Sequence, residues 1–493
     1  MRRTVSKGTA AVGAVLLALV VVGTVTAASR FVNTEPDAAK QWYFDVDNAW
    51  TFWAAQPQLA TVKVAVIDSG IDAAHPEFTG RIAAGKSFVG TPWDVDTDGH
   101  GTFVAGEIAA NASNGAGIAG MAFNAQLLIA KVVQPDGTIP LRSEIDAIHW
   151  AVDNGARVIN LSLGAARDPL NARLDSYSSL EQAAVEYAYA KGAVVVAAVG
   201  NGPQSPATPW PFAGYPAALP HVLGVSAIRR DGSVPAYSNR DAVYNDLAAP
   251  GDGIFSTIPR SLESTDAGCA TEPYSDCSKL EEFKDAIGTS FAAPQVAAAA
   301  ALLLGQNPQL TPDQVTWLLE RTATDEGPAT GCLMCGGGRD RFTGWGRLNV
   351  AAALTRLTGG LRLPQPDAWE PNDDAGPWSH ALPPLPRTIS ATLDYWDDDV
   401  DVYRVHLNRG QRLYVRLTPG AASANVELSL WKPGTAHVLP PHAKATDRLV
   451  VGTAAHHQLR IGYRARVSGT FYVEARLDSQ NLNPVSYKLA LAR

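Results

Sequence analysis

The chain has 493 residues and a formal net charge of −8, with 46% apolar and 18% charged residues. This length predicts two or three folded units, and the composition is that of an ordinary globular protein. The mild acidity argues against a nucleic-acid-binding protein and predicts no basic patch for an anionic membrane surface.

The first 28 residues have the features of an export signal. Arg2, Arg3 and Lys7 form a basic start, and an uncharged apolar run follows from Ala10 to Val25. Small residues then end the run, so we expect cleavage after residue 27 or 28. The alternative is an uncleaved anchor helix, since the run approaches membrane-spanning length. No second run of that length follows, and we expect a secreted protein without stable membrane insertion.

Four cysteines fit an exported chain with two disulfides: Cys269, Cys277, Cys332 and Cys335. Three pairings are possible, and the sequence does not choose between them. The two local pairs are favoured because they require the least loop closure. A redox role for Cys332 and Cys335 is the alternative, but nothing thioredoxin-like surrounds them.

Between residues 62 and 322, short apolar strands alternate with helices. Strands are predicted at 62–67, 126–133, 157–163, 193–199 and 221–228, and helices at 143–154, 180–191, 288–304 and 311–322. Ser143 is predicted as a helix cap, and Pro312 fits a first turn. This alternation predicts an α/β fold with a doubly wound, mostly parallel sheet covered on both faces. In such sheets, sites form at the carboxyl ends of the strands.

The composition changes near residue 357. A stretch rich in glycine and proline is followed by short alternating segments at 402–407, 412–417, 426–430 and 470–475, which predict a small all-β sandwich. We therefore divide the chain into four parts: a signal peptide (1–28), an α/β domain (29–355), a linker (356–368) and a β-sandwich domain (369–493).

Four polar residues lie after predicted strands or before predicted helices: Asp68, His100, Asn201 and Ser290. Taken singly, each is explained by a turn or a helix cap. Acyl transfer by a serine requires a base, a carboxylate that holds the base's tautomer, and a donor for the oxyanion. Imidazole is the natural base near neutral pH, and a side-chain amide can complete an oxyanion hole. Together the four residues predict a serine-dependent acyl-transfer site.

Three motifs resemble the signatures of the subtilisin-like serine proteases. They are Val-Ile-Asp-Ser-Gly-Ile-Asp at 66–72, His-Gly-Thr-x-Val-Ala-Gly at 100–106 and Gly-Thr-Ser-x-Ala-x-Pro at 288–294. The order of acid, base and serine matches that family, and the resemblance runs from about residue 41 to residue 354. It implies that Asp68 orients His100, which acts as general base and then general acid. Ser290 would be the nucleophile, and Asn201 would stabilise the oxyanion.

The same resemblance implies where a substrate binds. Ser162, Leu163 and Gly164 match the edge segment that pairs with the substrate backbone in this family. Residues 197–200, ending at Gly200, would line the other side of the specificity pocket. Neither segment contains an acidic residue, which favours an uncharged, apolar side chain before the scissile bond.

The chemistry requires no cofactor, but structural calcium is suggested. Asp94, Asp96 and Asp98 offer oxygen ligands in one loop, of the kind that Ca²⁺ prefers. Glu77 and Gln41 match positions that bind calcium in the family. A solvated acidic loop is the alternative interpretation.

Two further features bear on maturation. The chain between the signal and Gln41 is much shorter than the folding-assistant propeptide usual in this family, so we expect either none or one supplied otherwise. From residue 367 the tail resembles the bacterial pre-peptidase C-terminal domain, through Glu-Pro-Asn-Asp at 370–373 and the acidic run at 397–403.

The sequence therefore predicts a secreted, monomeric serine endopeptidase of broad specificity that acts on proteins and peptides. One alternative is a catalytically silent scaffold that keeps the fold. The other is an esterase or peptide ligase that uses the same acyl-enzyme.

Overall fold

The structure is a computed structural model that describes residues 31–171, 173–202, 209–262, 282–360, 367–370, 372–393, 400–420, 426–438, 443–455, 457–477 and 485–493. The predicted signal peptide, Cys269, Cys277 and residues 361–366 of the predicted linker lie outside these residues. None of the described helices is long and apolar enough to cross a membrane.

A seven-stranded parallel sheet organises the α/β domain. Its strand order is β2-β3-β1-β4-β5-β6-β7, and every neighbouring pair is parallel. The strands are β1 (Val62–Asp68), β2 (Ile82–Ser87), β3 (Ala125–Lys131), β4 (Val158–Leu161), β5 (Val194–Ala198), β6 (Val222–Ile228) and β7 (Leu247–Pro250). An antiparallel pair, β8 (Asp252–Thr257) and β9 (Phe283–Ile287), follows. The predicted α/β fold is confirmed.

Helices cover both faces of this sheet. Val64 and Val66 of β1 face one core, and the alternating residues Ala65 and Ile67 face the other. This is why the strands are apolar throughout their length. The helices are α1 (Tyr43–Val46), α2 (His100–Ala109), α3 (Leu141–Asp153), α4 (Ser179–Ala190), α5 (Ala293–Gln306), α6 (Pro312–Arg321) and α7 (Val350–Thr358).

Three local predictions need correction. The N-cap of α3 is Pro140, whereas the Ser143 hydroxyl donates to the Phe88 carbonyl oxygen at 3.0 Å. The helix predicted from residue 288 begins with a 3₁₀ turn, and α5 starts only at Ala293, with proline in its first turn. The predicted linker starts inside α7, which continues to Thr358.

Two five-stranded sheets form the predicted β-sandwich. One has the order β10-β12-β18-β14-β15 and the other β11-β19-β13-β17-β16, with apolar side chains packed between them. The strands are β10 (His380–Ala381), β11 (Arg387–Leu393), β12 (Val400–Leu407), β13 (Arg412–Pro419), β14 (Val426–Trp431), β15 (Arg448–Val451), β16 (Thr453–Ala455), β17 (Gln458–Arg464), β18 (Gly469–Leu477) and β19 (Val485–Ala492).

The sandwich domain contacts the α/β domain beside α4. The buried His221 ring lies between two carboxylates, with Nδ1 3.0 Å from Glu186 Oε2 and Nε2 3.6 Å from Asp373 Oδ2. The ring also stacks on Tyr189, with centroids 3.7 Å apart. A side chain of the sandwich domain therefore completes a buried charge cluster of the α/β domain.

Cys332 and Cys335 form a disulfide, with their Cα atoms 5.4 Å apart. This is one of the two local pairs that the sequence favours. The bridge closes a loop that packs against β6 and β7 through Ile228 and Ala248.

Candidate active site

Asp68 and His100 meet at the carboxyl end of the central strand. Asp68 is the last residue of β1 and is almost fully buried, and His100 is the first residue of α2. The imidazole Nδ1 lies 2.9 Å from each carboxylate oxygen of Asp68. This contact fixes the tautomer with the proton on Nδ1 and leaves Nε2 as the atom that can accept a proton.

The surrounding carboxylates make His100 unusually basic. Its buried position opposes protonation, but the charge and hydrogen bond of Asp68, followed by Asp98 and Asp96, outweigh this and raise the pKa to about 9. The Asp98 carboxylate also accepts a hydrogen bond from the His100 backbone N–H at 3.2 Å. His100 is therefore protonated over most of the neutral range.

Ser290 and Asn201 lie together in a cleft. Ser290 is half-buried in the 3₁₀ turn before α5, and both residues line the same depression. The Asn201 carbonyl oxygen accepts hydrogen bonds from the backbone N–H and hydroxyl of Thr289, at 2.8 and 2.9 Å. Because its oxygen is engaged in this way, the amide presents Nδ2 as its donor. Such a donor beside the serine suits a developing oxyanion.

The cleft encloses about 280 Å³ and has mainly apolar or uncharged walls. None of the described residues that line it is charged; they include Leu163, Ala166, Ala198, Trp210 and Tyr215, together with the predicted Ser162, Gly164 and Gly200. All four predicted substrate-binding residues are therefore brought to the same depression as Ser290.

The segment from Ser162 to Ala166 forms one rim of the cleft. The Ser162 hydroxyl donates to the Ser290 carbonyl oxygen at 2.6 Å, which ties this rim to the serine turn. Ala165 exchanges two backbone hydrogen bonds with Tyr215. A Cβ at Gly164 would lie 2.5 Å from the Tyr215 carbonyl oxygen, so glycine is required for this close approach.

A buried polar contact joins α2, which begins at His100, to α5, which follows the turn that contains Ser290. The Gln295 amide of α5 donates to Glu107 Oε2 of α2 at 3.2 Å, and also to the carbonyl oxygens of Pro250 and Phe291. Neither Gln295 nor Glu107 is exposed. This contact couples the position of α2 to that of α5.

Two of the predicted calcium ligands lie at one loop. Glu77 accepts hydrogen bonds from Asn114 and from the Ile118 N–H, and Gln41 accepts one from the Ala119 N–H. Burial raises the pKa of Glu77 to about 7 despite these hydrogen bonds, and the nearby Glu35 carboxylate adds to the rise.

The chemistry of this oxygen set fits a divalent cation. Glu35 is buried, and its Oε2 atom has no hydrogen-bond partner among the described residues. The charge of Glu35 acts on Glu77, and a cation bound near both carboxylates would stabilise them.

The acidic loop from Asp94 to Asp98 is arranged differently. The two carboxylate oxygens of Asp96 accept from Ser69, Thr102 and three backbone N–H groups of the loop and helix start, at 2.6 to 3.1 Å. A cation bound to Asp96 would have to replace these contacts, which anchor the loop in front of His100.

The sandwich domain contains a further set of carboxylates that could hold a cation. One oxygen from each of Asp367, Glu370 and Asp401 lies within 4.8 Å of the others. Burial, followed by the charges of Asp373 and Asp401, raises the pKa of Glu370 to about 10.

Sequence reasoning missed several residues that shape the site. Thr289 anchors Asn201, Asn239 donates to the Val199 carbonyl oxygen at 2.9 Å, and Trp210 and Tyr215 form part of the cleft wall. Thr289 could have been noticed because it adjoins the serine in its motif. The others lie far from any motif and come together only through the fold.

Comparison with known proteins gives a consistent result. The sequence pattern of the subtilase family matches residues 60–346. Subtilisin DY of Bacillus licheniformis is 35% identical over 295 residues, covering 60% of this chain and 91% of that protein. Subtilisin E of Bacillus subtilis is 36% identical over 296 residues, covering 60% and 66%. A solved protease structure from Pseudoalteromonas arctica is 27% identical with a TM-score of 0.53, covering 66% of this chain and all of that one.

Proposed function

Because the chain belongs to the subtilase family, the subtilisin-like serine proteases, we propose that it is a secreted endopeptidase that hydrolyses peptide bonds through an acyl-enzyme. The observation that carries this proposal is the Asp68–His100 contact, whose imidazole ring centroid lies 5.4 Å from that of Phe291, the residue after Ser290. This is the set of groups that acyl transfer by a serine requires.

In the proposed mechanism, neutral His100 takes the proton from the Ser290 hydroxyl as the oxygen attacks the carbonyl carbon of the substrate. The carboxylate of Asp68 stabilises the imidazolium that forms, and Asn201 Nδ2 donates to the oxyanion. His100 then gives its proton to the leaving amine. A water molecule, which gives its proton to His100, attacks the acyl-enzyme in the same way and releases the acyl group.

We propose that the substrate backbone pairs with the rim from Ser162 to Gly164 as an added strand. The side chain before the scissile bond would enter the cleft, whose described walls are uncharged. Broad specificity with a preference for apolar residues follows, because no fixed charge in these walls selects one polar side chain.

A silent scaffold and an esterase or ligase remain the alternatives, and one experiment separates them. Wild type, Ser290→Ala and the exposed control Ser179→Ala are incubated with casein and with a serine-directed fluorophosphonate. We expect the wild type and Ser179→Ala to hydrolyse casein and to become labelled, and Ser290→Ala to do neither. Equal hydrolysis by Ser290→Ala would falsify the assignment of the nucleophile, and an unlabelled wild type would favour the scaffold. Labelling without casein hydrolysis would favour the esterase or ligase.

We also propose that a calcium ion stabilises the loop held by Gln41, Glu77 and Glu35. A bound cation would neutralise buried carboxylates and so stabilise the folded state. Calcium added after chelator treatment should raise the melting temperature of the wild type and leave that of Glu77→Gln nearly unchanged. An unchanged wild-type melting temperature would contradict this site.

For the sandwich domain, we propose kinship with the bacterial pre-peptidase C-terminal domains, on its two mostly antiparallel sheets and the Glu-Pro-Asn-Asp motif. Export would follow from the predicted signal peptide. Mass spectrometry of protein recovered from a bacterial culture medium tests both cleavage near residue 28 and retention of the sandwich.

A further inference from the structure

The two sheets of the sandwich domain differ in charge. The sheet made by β11, β13, β16, β17 and β19 contains six cationic residues and no acidic residue, whereas the other sheet carries both signs. The six are all exposed: Arg387, Arg412, Arg416, Arg460, Arg464 and Lys488. In a chain with a net charge of −8, this face is a local concentration of positive charge.

Four of these arginines stand in two facing pairs. Arg412 lies directly opposite Arg464, and Arg416 lies directly opposite Arg460, across the antiparallel strands β13 and β17. Like charges in such positions destabilise a sheet. None of the six cations forms an ion pair with any residue in the described parts of the chain. An external anion would relieve this repulsion.

The same face contains a groove of about 680 Å³. Its floor is made of small residues, and its sides carry arginines and one half-exposed tyrosine; these residues are Gly462, Ala490, Ala492, Arg387, Arg416, Arg460 and Tyr414. A Cβ at Gly462 would lie 3.8 Å from the Tyr414 ring, in contact with it. The absence of a side chain there leaves the floor beside the ring open.

We propose that this arginine face binds a linear polysaccharide that carries carboxylate or sulfate groups. The planar guanidinium group pairs with such anions through two parallel hydrogen bonds. The two arginine pairs are four residues apart on β13, a distance of about 13 Å along an extended strand. An extended chain with repeated charges can therefore contact both pairs at once, while Tyr414 between them packs against the apolar side of a sugar ring.

Charge and aromatic content favour a polysaccharide over a single-stranded nucleic acid. Sites for single strands combine positive charge with several aromatic rings on which successive bases stack. On this face Tyr414 is the one exposed aromatic side chain among the described residues, beside six cations. Binding would therefore depend mainly on the positive charge of this face and on the guanidinium groups of the two arginine pairs.

The test measures binding of the full-length protein to heparin and to polygalacturonate, both immobilised, at physiological salt. We expect the variant Arg416→Gln/Arg460→Gln to bind at least about tenfold more weakly, since it loses one pair of charge-assisted contacts. The control Arg142→Gln/Arg448→Gln removes the same charge from exposed positions on α3 and the opposite sheet. It should bind within about twofold of the wild type, because the face itself is intact.

Three results would overturn the proposal: no binding of the wild type to either polymer, an equal loss in the control, or tighter binding to an oligo-dT strand that depends on Arg416 and Arg460. The last would assign the face to nucleic acid. Casein hydrolysis and the melting temperature of each variant are recorded alongside, so a folding defect is seen directly. The inference does not depend on the proposed peptidase activity, because binding is measured without turnover.

Discussion

At the scale of single residues, the contact that orients His100 also sets the pH at which the site can work. Asp68 holds the ring in the tautomer that catalysis requires, and the same carboxylate, with Asp96 and Asp98, raises the pKa to about 9. In the proposed mechanism only the neutral ring accepts the proton of Ser290, so activity should rise with pH up to and through this pKa. Sequence motifs predict which residues are the acid, the base and the serine. The electrostatic field at the His100 ring depends on how the loop before α2 folds. No sequence motif indicates how this loop folds.

The first prediction concerns Asp98→Asn. It removes a negative charge next to His100 but keeps the oxygen that accepts the His100 N–H. The pKa of His100 should fall, so the rise of kcat/KM shifts to lower pH, with a roughly two- to threefold higher value at pH 7. The pH profile of kcat/KM on a peptide ester measures this. Asp94→Asn, an exposed change in the same loop, should leave the profile in place. A shift to higher pH in Asp98→Asn would contradict the electrostatic account.

At the scale of elements, the site depends on how α2 and α5 are held against each other behind the cleft. Gln295 takes no part in the proposed catalytic mechanism. Its amide nevertheless links α2, which begins at His100, to α5, which follows the turn that contains Ser290. No sequence motif indicates this structural role, because Glu107 is distant in sequence.

The second prediction concerns Gln295→Met, which nearly conserves volume but removes the donor. The Pro250 and Phe291 carbonyl oxygens and Glu107 would lose a buried partner, so we expect a loss of about 1–3 kcal/mol in the free energy of unfolding. Chemical denaturation of the full-length protein measures it. Gln306→Met at the exposed end of α5 should change stability by less than about 0.5 kcal/mol. Equal stability of the two variants would show that the link is dispensable.

Element prediction succeeded for five buried strands of the parallel sheet and missed both the partly buried β2 and the short, fully buried β7. The apolar strands β1, β3, β4, β5 and β6 were predicted, whereas β2, with Gly85 and Lys86, lacks a clear pattern. The arginine face was also missed. Its cations are spread over four strands, and only the strand pairing places Arg412 opposite Arg464 and Arg416 opposite Arg460.

At the scale of the whole molecule, the two domains share a buried ionic cluster. His221 is enclosed by groups from both domains, and the acidic groups that face it are Glu186, Asp313, Glu370 and Asp373. Burial opposes its protonation, but the charges of Glu186 and Asp373 outweigh this and raise the pKa of His221 to about 10. The sequence predicted both domains but not this contact, since His221 reads only as the start of a strand.

The third prediction follows from the direction of that shift. Because the pKa of His221 is higher in the folded state than in the unfolded state, protonation of His221 stabilises the fold. This stabilisation is fully present below the unfolded pKa of about 6.5 and is lost as pH rises toward 10. His221→Asn keeps a residue that tolerates the positive φ of 60° at this position but cannot become charged. Its melting temperature should lie well below that of the wild type at pH 6 and approach it near pH 10. A constant difference across this range would rule out the ionic contribution. The exposed change His457→Asn, also at positive φ, is the control.

The wholly parallel sheet has a consequence for the order in which the molecule matures. Parallel neighbours can be joined only through long crossovers, so each pairing closes a large loop and folding is slow. The four site residues lie at elements that are far apart along the chain: Asp68 at β1, His100 at α2, Asn201 after β5 and Ser290 before α5. These residues meet only after the four elements have docked. Proteolytic activity would therefore appear last, after the polypeptide has become compact. An unfolded chain is the substrate that is most easily cleaved. A newly made chain therefore cannot cleave neighbouring chains until it has itself folded into a form that resists cleavage.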